Sequence, residues 1–361
     1  MAGVYISYPF CNQKCSFCNF ASDVFTSEAK SRYQCALLRE IKAHRWDWLP
    51  ETLYFGGGTP SLMSTSFLGE LMDLIPKDRL GEATWECAPG TITEEAAGAW
   101  QTRGINRVSL GVQSFIRAEL RQTGRRHDAA TVEHDVSILR DSGISNINID
   151  LIAGLPGQTL DSWDESLHWI ERLRPPHVSV YIFEVDEESR LGNELLLGGS
   201  RYGAKAVPGE DLTAELYEGA VRHLARLGIH RYEISNFAAP GWESRHNLKY
   251  WQGEPYVGFG LDAHSFDGRQ RWGNPETLLE YLEERSRSAE PTISDLAEEH
   301  FFVGLRLSAG IEPTPWEWSR FRDPIARWLD AGMLERAGPR LRLTDRGVLV
   351  SNEILQEFVN A

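Results

Sequence analysis

The sequence predicts an α/β protein whose first half holds a parallel sheet, either open or curled into a partial barrel. Two observations lead to this fold class. Short apolar runs typical of strands alternate with amphipathic stretches typical of helices. Strands that alternate with helices form parallel sheets with right-handed crossovers. The six predicted strands cover residues 4–8, 52–56, 83–87, 106–112, 146–152 and 177–183.

The helices between these strands follow from apolar spacing and from end signals. Apolar residues recur at helical spacing over 68–75, after Ser64, which is a preferred N-cap. A second set over 132–139 ends at Gly143, a typical residue at a helix C-terminus. Thr93 precedes two glutamates, and acidic side chains favour the positive N-terminal end of a helix. Each signal falls between two predicted strands, which supports the alternation.

The rest of the chain is less regular. The region after the sixth strand is rich in glycine, aromatic and charged residues, and 286–295 is interpreted as a linker. Beyond it, a helix is predicted over 327–334, and a strand and turn over 340–347. We therefore predict three units: a barrel over 1–185, its extension with a ligand-binding segment over 186–295, and a small α/β, winged-helix-like domain over 296–361.

Composition limits the possible functions. The chain has 361 residues, of which 42% are hydrophobic and 25% charged, so it can bury a large core. Its net charge of -15 argues against nucleic-acid binding, which needs clustered Lys and Arg. No run of about 18 apolar residues predicts a transmembrane segment, although peripheral membrane contact remains open. No secretory signal is visible and five cysteines is an odd count, so a cytoplasmic location is expected.

Three cysteines lie in one short loop after the first strand. Cys11, Cys15 and Cys18 follow the spacing C-x3-C-x2-C, so their thiolates can face one centre. Structural zinc usually takes four ligands in two pairs, and no second pair is present. A cubane iron–sulfur cluster is normally held by four cysteines, and three would leave one iron open to a small molecule. The spacing favours this cluster over zinc or reactive free thiols, and Cys35 and Cys87 are expected to be buried.

A glycine-rich turn follows the second strand. The segment FGGGTPSLM spans 55–63, and its three glycines allow close backbone approach to a ligand. A phosphate-binding loop would need a Gly-Lys-Ser/Thr sequence, whereas Thr59-Pro60 stands here. A plain tight turn is the remaining alternative.

The cysteine loop, paired with this turn, resembles the radical S-adenosylmethionine (SAM) superfamily. The resemblance implies a [4Fe–4S] cluster whose open iron binds the amino and carboxylate groups of SAM. It further implies that an electron from a donor such as flavodoxin or ferredoxin splits SAM into methionine and a 5′-deoxyadenosyl radical. The fold of that superfamily is a partial (β/α)6 barrel with its site at the carboxyl ends of the strands.

A narrower resemblance covers most of the chain. The segments YISYPFCNQKCSFCNF, GINRVSLGVQSF, INIDLIAGLPGQT and YEISNFAAPGWESRHNLKYW resemble the family of oxygen-independent coproporphyrinogen III oxidase and the heme chaperone HemW. The resemblance implies that Tyr5 flanks SAM and that Glu86 bonds it, through the ribose. The positions that would meet its methionine part are Gly57, Gly58 and Thr59. Three further residues match the positions that hold a second SAM molecule in the oxidase: Gln113, Arg125 and Asp150. Each could instead be a polar residue that completes a strand.

Three features place the chain on the HemW side of this family. Phe20 stands where the oxidase has a fourth cysteine, and the chain begins almost at the first strand, without the N-terminal extension of the oxidase. RHNLKYW, 245–251, resembles a HemW signature tied to heme binding. Neutral His246 can ligate heme iron, while Tyr250 and Trp251 offer flat surfaces to a porphyrin. The alternative is a structural histidine in an aromatic loop.

The sequence departs from the family pattern at Asn19, where Asp is usual, and at 188–190, where Glu-Ser-Arg replaces an expected Pro-Gly-Thr turn. Taken together, the sequence predicts a radical SAM-type chaperone that binds a [4Fe–4S] cluster, SAM and heme, and delivers heme to apo-proteins. Coproporphyrinogen III oxidation is the main alternative. A related radical SAM methyltransferase or heme-degrading enzyme is the third possibility.

Overall fold

The fold is taken from a computed structural model that describes residues 2–283, 292–293 and 295–359. Most of the predicted linker 286–295 lies outside these residues. The strands are β1 (Ala2–Tyr8), β2 (Pro50–Gly57), β3 (Glu82–Cys87), β4 (Arg107–Gln113), β5 (Asn146–Ala153), β6 (His177–Ile182), β7 (His230–Arg231), β8 (Asn236–Ala238), β9 (Tyr256–Phe259), β10 (His264–Phe266), β11 (Gln270–Gly273), β12 (Thr292–Ile293), β13 (Leu334–Ala337) and β14 (Arg340–Leu343).

The helices are α1 (Ser27–Ala43), α2 (Thr65–Leu74), α3 (Glu94–Thr102), α4 (Arg117–Gln122), α5 (Ala129–Asp141), α6 (Leu160–Leu173), α7 (Arg190–Leu196), α8 (Glu210–Arg226), α9 (Arg245–Trp251), α10 (Leu278–Leu282), α11 (Leu296–Phe302), α12 (Pro315–Arg320), α13 (Arg322–Asp330), α14 (Asp345–Leu349) and α15 (Ser351–Leu355). The predicted N-caps are confirmed: the side chains of Ser64 and Thr93 accept hydrogen bonds from the first turns of α2 and α3.

The six predicted strands are confirmed and form the centre of the sheet. β1 to β6 lie side by side in chain order and pair in parallel, as expected for strands joined by helices. Strands from the predicted extension continue the sheet at both edges. β9 pairs with β1 in parallel and leads into antiparallel β10 to β12, whereas β8 pairs antiparallel with β6. The sheet is therefore open, in the manner of a partial barrel.

Side chains alternate between the two faces of this sheet. One face carries fully buried apolar residues that pack under the helices, exemplified by Phe55 and Trp85, whose rings lie 4.7 Å apart. Trp85 in turn contacts Trp100 of α3 at 5.7 Å. The inner face carries mostly polar residues, because successive strand residues point to opposite sides. Its members include Tyr5, Tyr54, Glu86, Ser109, Asn148, Asp150 and Ser179.

The C-terminal segment combines helices with a two-stranded antiparallel hairpin, β13–β14. Phe301, Phe321 and Phe358 form its aromatic core, with Phe301 to Phe321 ring centroids 4.5 Å apart. The C-terminal end predicted for the helix over 327–334 is wrong. α13 stops at Asp330, since Gly332 takes a positive φ of 69° and the chain turns into β13.

Candidate functional site

The cysteine loop is fixed by backbone hydrogen bonds to three other segments. Cys11 N–H donates to Asp23 O at 3.0 Å, and Ser16 N–H donates to Thr123 O at 3.1 Å. Leu191 N–H, in α7, donates to Ser16 O at 2.7 Å. The loop is therefore held at the carboxyl ends of the strands by the backbone of the chain itself. We call the region at the carboxyl ends of β1 to β6 the carboxyl edge.

The three thiols of this loop are half-buried and free of disulfides. Thr59 Oγ1 donates to Cys11 Sγ at 3.5 Å, and Arg125 Nη1 donates to Cys15 Sγ at 3.1 Å. Cys18 Sγ lies 3.9 Å from Ser22 Oγ. Burial raises the pKa of the Cys11 and Cys18 thiols. Thr59 and Arg125 thus link the glycine turn and the α4–α5 loop to the cysteines.

The remaining two cysteines lie elsewhere. Cys87 is buried at the end of β3, as expected. Cys35 is exposed, which corrects the prediction that it is buried. The residues of α1 that face the core include Tyr33, Ala36 and Leu37, and helical geometry points Cys35 away from them.

The donor set fits a multinuclear cluster. Within residues 2–283, 292–293 and 295–359, no three His, Cys, Asp or Glu side chains are grouped to hold a metal ion. Ligands of one ion, such as zinc, converge on a single point. Three thiolates that each bind a different iron of a cubane lie farther apart. Three free, half-buried thiols on one loop are a donor set that fits the second arrangement.

The glycine turn is shaped by its contact with the cysteine loop. Gly57 has a φ of 101°, a conformation that favours glycine. A Cβ on Gly58 would lie 2.8 Å from backbone atoms of Tyr8, Pro9 and Phe10. The close approach that requires glycine at 58 is therefore to the protein's own backbone, just before Cys11. The sequence analysis expected this close approach to be to a ligand, and the structure shows one to the chain itself.

Two carboxylates face each other on the inner face. Tyr54 Oη donates to Glu86 Oε1 at 2.8 Å. Burial raises the pKa of Glu86 to about 7, the Tyr54 hydrogen bond opposes the rise, and the charge of Asp150 adds to it. Asp150 accepts from Asn148 Nδ2 at 2.7 Å and from Ser109 Oγ at 3.1 Å, and burial raises its pKa.

Gln113 and Arg125, which both lie beside Gly111, each carry a buried polar atom that lacks a hydrogen-bond partner among the described residues. Gln113 has a φ of 70°, which is uncommon for a residue other than glycine. It lies at a register shift at the end of β4. Its Oε1 is buried and has no hydrogen-bond partner among the described residues, and neither has Arg125 Nε. Arg125 Nη2 donates to Gly111 O. Unpaired buried polar atoms are rare, so they are the best sign of a polar ligand at this place.

His246 does not lie at the carboxyl edge. It is buried among the amino-terminal ends of the strands, a region we call the floor. Its Nδ1 is hydrogen-bonded to Thr52 Oγ1 at 2.8 Å, and its Nε2 to Tyr250 Oη at 2.8 Å. Burial lowers the pKa of His246 to about 3. Both ring nitrogens are engaged, so in this conformation the predicted heme ligand offers no lone pair to iron.

The structure thus brings most predicted SAM residues together and separates His246 from them. Tyr5 stacks on Tyr54 with centroids 6.1 Å apart, next to Glu86. Sequence reasoning missed Tyr54, Ser109, Asn148 and Ser179, which hydrogen-bond the two carboxylates or each other. Strict alternation of polar and apolar residues along the strands was the signal that identifies them.

The comparisons with known proteins agree with this geometry. The profile of the Radical SAM superfamily matches residues 5–170. The structure of the coproporphyrinogen III oxidase of Escherichia coli, described as a radical SAM enzyme, superposes with a TM-score of 0.83 at 22% identity. The superposition covers 99% of this chain and 90% of that one, and at this identity it establishes the fold alone. The fold and the matched profile define a radical SAM protein.

Full-length relatives specify the family. Heme chaperone HemW of Lactococcus lactis is 32% identical over 98% of this chain and 96% of its own. Heme chaperone HemW of Bacillus subtilis is 32% identical over 99% of both chains. The Escherichia coli HemW is 31% identical over 99% of this chain and 97% of its own. The chain therefore belongs to the HemW family of radical SAM proteins. No helix among the described residues is long and apolar enough to cross a membrane.

Proposed function

We propose that this protein is a cytoplasmic heme chaperone that carries a [4Fe–4S] cluster on Cys11, Cys15 and Cys18, binds SAM and passes heme to apo-proteins. The observation that carries the proposal is the similarity to proteins named heme chaperone HemW along nearly the whole of both chains. The carboxyl edge supports the cluster and SAM, because it combines three free thiols with unpaired polar atoms of Gln113 and Arg125.

SAM would lie between the cysteine loop and the inner face of the sheet. Glu86 would accept hydrogen bonds from its ribose, and Gln113 and Arg125 would bind its polar groups. Asp150, hydrogen-bonded from two sides, would stabilise its cationic part when ionised. When bound, the cluster would deliver to SAM an electron that a flavodoxin or ferredoxin supplies.

Because His246 is buried and hydrogen-bonded at both ring nitrogens, heme would bind at another surface, one that is exposed beside the cysteine loop. Four exposed apolar side chains lie on the cysteine loop and on the segment around α7, and we call them the apolar rim: Phe20 (64% exposed), Val185 (52%), Leu196 (63%) and Leu197 (80%). Asn19 Nδ2 donates to Asp186 Oδ2 at 2.5 Å, which joins the two segments next to Phe20 and Val185. Exposed apolar surface of this kind fits a porphyrin plane.

Basic groups lie beside the apolar rim. Arg190 is exposed at the start of α7, and its guanidinium donates to Lys14 O of the cysteine loop. Heme carries two propionates, so adjacent Lys14 and Arg190 supply charge of the opposite sign. This is the place where the chain departs from the family's expected turn, at 188–190.

Heme titration of matched variants tests this assignment. Leu197→Ser and Phe20→Ser should each weaken heme binding by about tenfold, since each removes a buried contact of a Leu or Phe side chain. Leu279→Ser is the control, because Leu279 is also 63% exposed but lies on α10, in another part of the fold. If Leu197→Ser, Phe20→Ser and Leu279→Ser all bind heme with equal affinity and only His246→Ala loses heme binding, heme would lie at the floor. The contacts around His246 would then have to open locally to admit it.

An assay of coproporphyrinogen III oxidation distinguishes a heme chaperone from a coproporphyrinogen III oxidase. The anaerobically reconstituted protein, supplied with SAM, a reductant and coproporphyrinogen III, should form no protoporphyrinogen IX. It should instead transfer bound heme to an apo-cytochrome or another heme-accepting protein, as followed by the visible spectrum of the acceptor. Turnover of coproporphyrinogen III would show that the protein is an oxidase.

A further inference from the structure

Three exposed arginines lie beside the cysteine loop, and we call them the arginine face: Arg117, Arg121 and Arg126. The first two lie on α4, and Arg126 lies in the turn between α4 and α5. Within the described part of the chain, neither Arg121 nor Arg126 forms an ion pair. These guanidinium groups are therefore available to a partner in solution.

The acidic residues of the same segment do not neutralise this face. Arg117 and Arg121 are four positions apart on α4 and share one side of the helix, whereas Glu119, two positions from each, points elsewhere. Glu119 is 2% exposed and accepts from Ser114 Oγ at 2.6 Å. Asp128 caps α5 by accepting from the N–H of Thr131 at 3.0 Å. Both carboxylates thus have partners within the chain.

The segment that carries the arginine face touches the cysteine loop. Thr123 O accepts from Ser16 N–H at 3.1 Å, and Arg125 Nη1 donates to Cys15 Sγ at 3.1 Å. Members of the arginine face stand one and two residues from these contacts, which keeps their Cα atoms within about 8 Å of Thr123 or Arg125. A protein that docks on this face would therefore lie next to the thiols.

The surface elsewhere is unfavourable for an acidic protein. The chain carries a net charge of -15, which repels such a partner at long range. On the α7 side of the cysteine loop, residues 184–190 contain four acidic residues and one arginine. On the α4 side, residues 114–127 contain four arginines and one glutamate, the buried Glu119. Near the thiols, an acidic protein would thus be attracted to the arginine face.

A [4Fe–4S] cluster at the thiols would need such a partner. The donor loses one electron and the cluster gains it, so the step balances with no further reactant. Complexes of electron-transfer proteins have small interfaces, and charge steers their association. A few correctly placed arginines are therefore enough to decide where the donor binds.

We propose that the arginine face is the docking surface of an acidic electron-transfer protein of the flavodoxin class. The inference rests on the proposed cluster at Cys11, Cys15 and Cys18. The donor sits on α4 and on the turn before α5, and its electron reaches the cluster on the side of Cys15, where Arg125 donates to the thiol.

The test is the rate at which reduced flavodoxin reduces the cluster of the anaerobically reconstituted protein, followed by stopped-flow absorbance. Arg121→Glu/Arg126→Glu should slow this reduction about tenfold at low ionic strength, because each change turns an attraction into a repulsion. Arg121→Lys/Arg126→Lys, which keeps both charges, should react as the wild type does. At high ionic strength the difference should shrink, since salt screens exposed charges.

Two controls separate docking from other effects. Arg45→Glu/Arg322→Glu makes the same change in net charge in other parts of the fold, at side chains that are 87% and 82% exposed. It should slow the reaction much less. Photoreduced deazariboflavin, a small uncharged donor, should reduce the cluster of every variant at the same rate.

Binding without electron transfer is the second readout. Oxidised ¹⁵N-labelled flavodoxin is titrated with the oxidised reconstituted protein, and its amide resonances are recorded. They should shift or broaden with the wild type and with Arg121→Lys/Arg126→Lys. They should change much less with Arg121→Glu/Arg126→Glu at the same concentrations.

Equal rates for the wild type and Arg121→Glu/Arg126→Glu would overturn the proposal. Equal slowing by Arg45→Glu/Arg322→Glu would do so too, because net charge alone would then explain the effect. A wild-type cluster that flavodoxin neither binds nor reduces is the third contrary result. Iron analysis identifies failure of the proposed function, since a chain that assembles no cluster would refute both proposals, whereas the other three outcomes refute only the docking surface.

Discussion

The carboxyl edge and the floor are built from the same six strands, yet they differ in how their polar groups are satisfied. At the edge, Gln113 Oε1 and Arg125 Nε are buried and find no partner in the part of the chain that the structure describes. At the floor, His246 has a hydrogen bond on each ring nitrogen. A side chain with unmatched polar atoms can bind a ligand at no cost to the fold, whereas a fully bonded one must first break its own contacts. Free hydrogen-bonding capacity, more than motif membership, separates Gln113 and Arg125 at the edge from His246 at the floor.

The difference predicts that the edge carries the cofactors and the floor carries stability. Variants at the edge should lose cluster or ligand while the chain still unfolds cooperatively. Variants at the floor should unfold more easily while the cluster still assembles. Among the described residues, Arg107, Thr84 and Asn146 at the floor also carry a buried polar atom without a partner, so the expectation of stability applies to His246 and the residues bonded to it.

The largest effect is expected at the cysteines. Replacement of Cys11, Cys15 or Cys18 by Ala should abolish the brown colour of the reconstituted protein, because each thiolate holds one iron. Iron and sulfide analysis with visible spectroscopy measures the loss. Cys35→Ala is the control, since Cys35 is exposed on α1. A cluster that survives any of the three substitutions would mean that the ligand set is wrong.

A substitution in the glycine turn tests whether the cluster and SAM sites at the carboxyl edge depend on each other. Gly58→Val should displace residues 8–10, since its Cβ would lie 2.8 Å from their backbone, and most of the cluster should be lost together with SAM binding. Gly98→Ala, on α3 with open space around its Cβ, is the control. Loss of SAM binding with a fully assembled cluster would show that the turn contacts only the ligand.

At the floor, His246→Ala should lower the free energy of unfolding by about 3 kcal/mol, because it leaves the hydroxyls of Thr52 and Tyr250 buried without a partner. Urea denaturation measures this loss. His134→Ala, at an exposed position of α5, should change stability by less than about 0.5 kcal/mol. A His246→Ala protein as stable as the wild type would remove the distinction between the two regions.

The smallest effect concerns pH. The pKa of His246 is about 3 in the folded chain against 6.5 in its unfolded reference. The unfolded state therefore binds the proton first, and the stability from neutral His246 is complete above pH 6.5 and is lost as the pH falls toward 3. Between pH 7 and 5 the loss amounts to about 2 kcal/mol. Denaturation of the wild type and His246→Asn at both pH values measures it, and equal losses would contradict this origin.

The sequence predicted the central strands closely and the outer ones not at all. The predicted strand 52–56 corresponds to β2 (Pro50–Gly57), and 106–112 to β4 (Arg107–Gln113). Their apolar residues repeat with the period of a strand, so the pattern is readable. β7 to β12 contain only two to four residues each, too few for a period, and they form because the edges of the sheet provide partners.

The residues of the edge could be predicted because they follow one another along the chain. Cys11, Cys15 and Cys18 share one loop, so their spacing indicated a shared centre, whereas the turn from Gly57 to Thr59 was assigned to SAM only through the family resemblance. The partners of these residues could not be predicted. Thr59 and Cys11 are 48 positions apart in sequence, and Arg125 and Cys15 are 110 apart, and only the curvature of the sheet brings them within hydrogen-bonding distance.

By itself, the sequence determined the α/β class, the cysteine loop and the glycine turn, because local spacing and the alternation of strands with helices encode them. The tertiary structure alone decided which polar groups are left without partners. His246 became a bonded residue of the floor because Thr52 and Tyr250 reach its two nitrogens. Gln113 and Arg125 kept unmatched atoms at the edge because no described strand or helix supplies a partner there. Hydrogen-bond satisfaction depends on neighbours distant in sequence, and these exist only once the chain has folded.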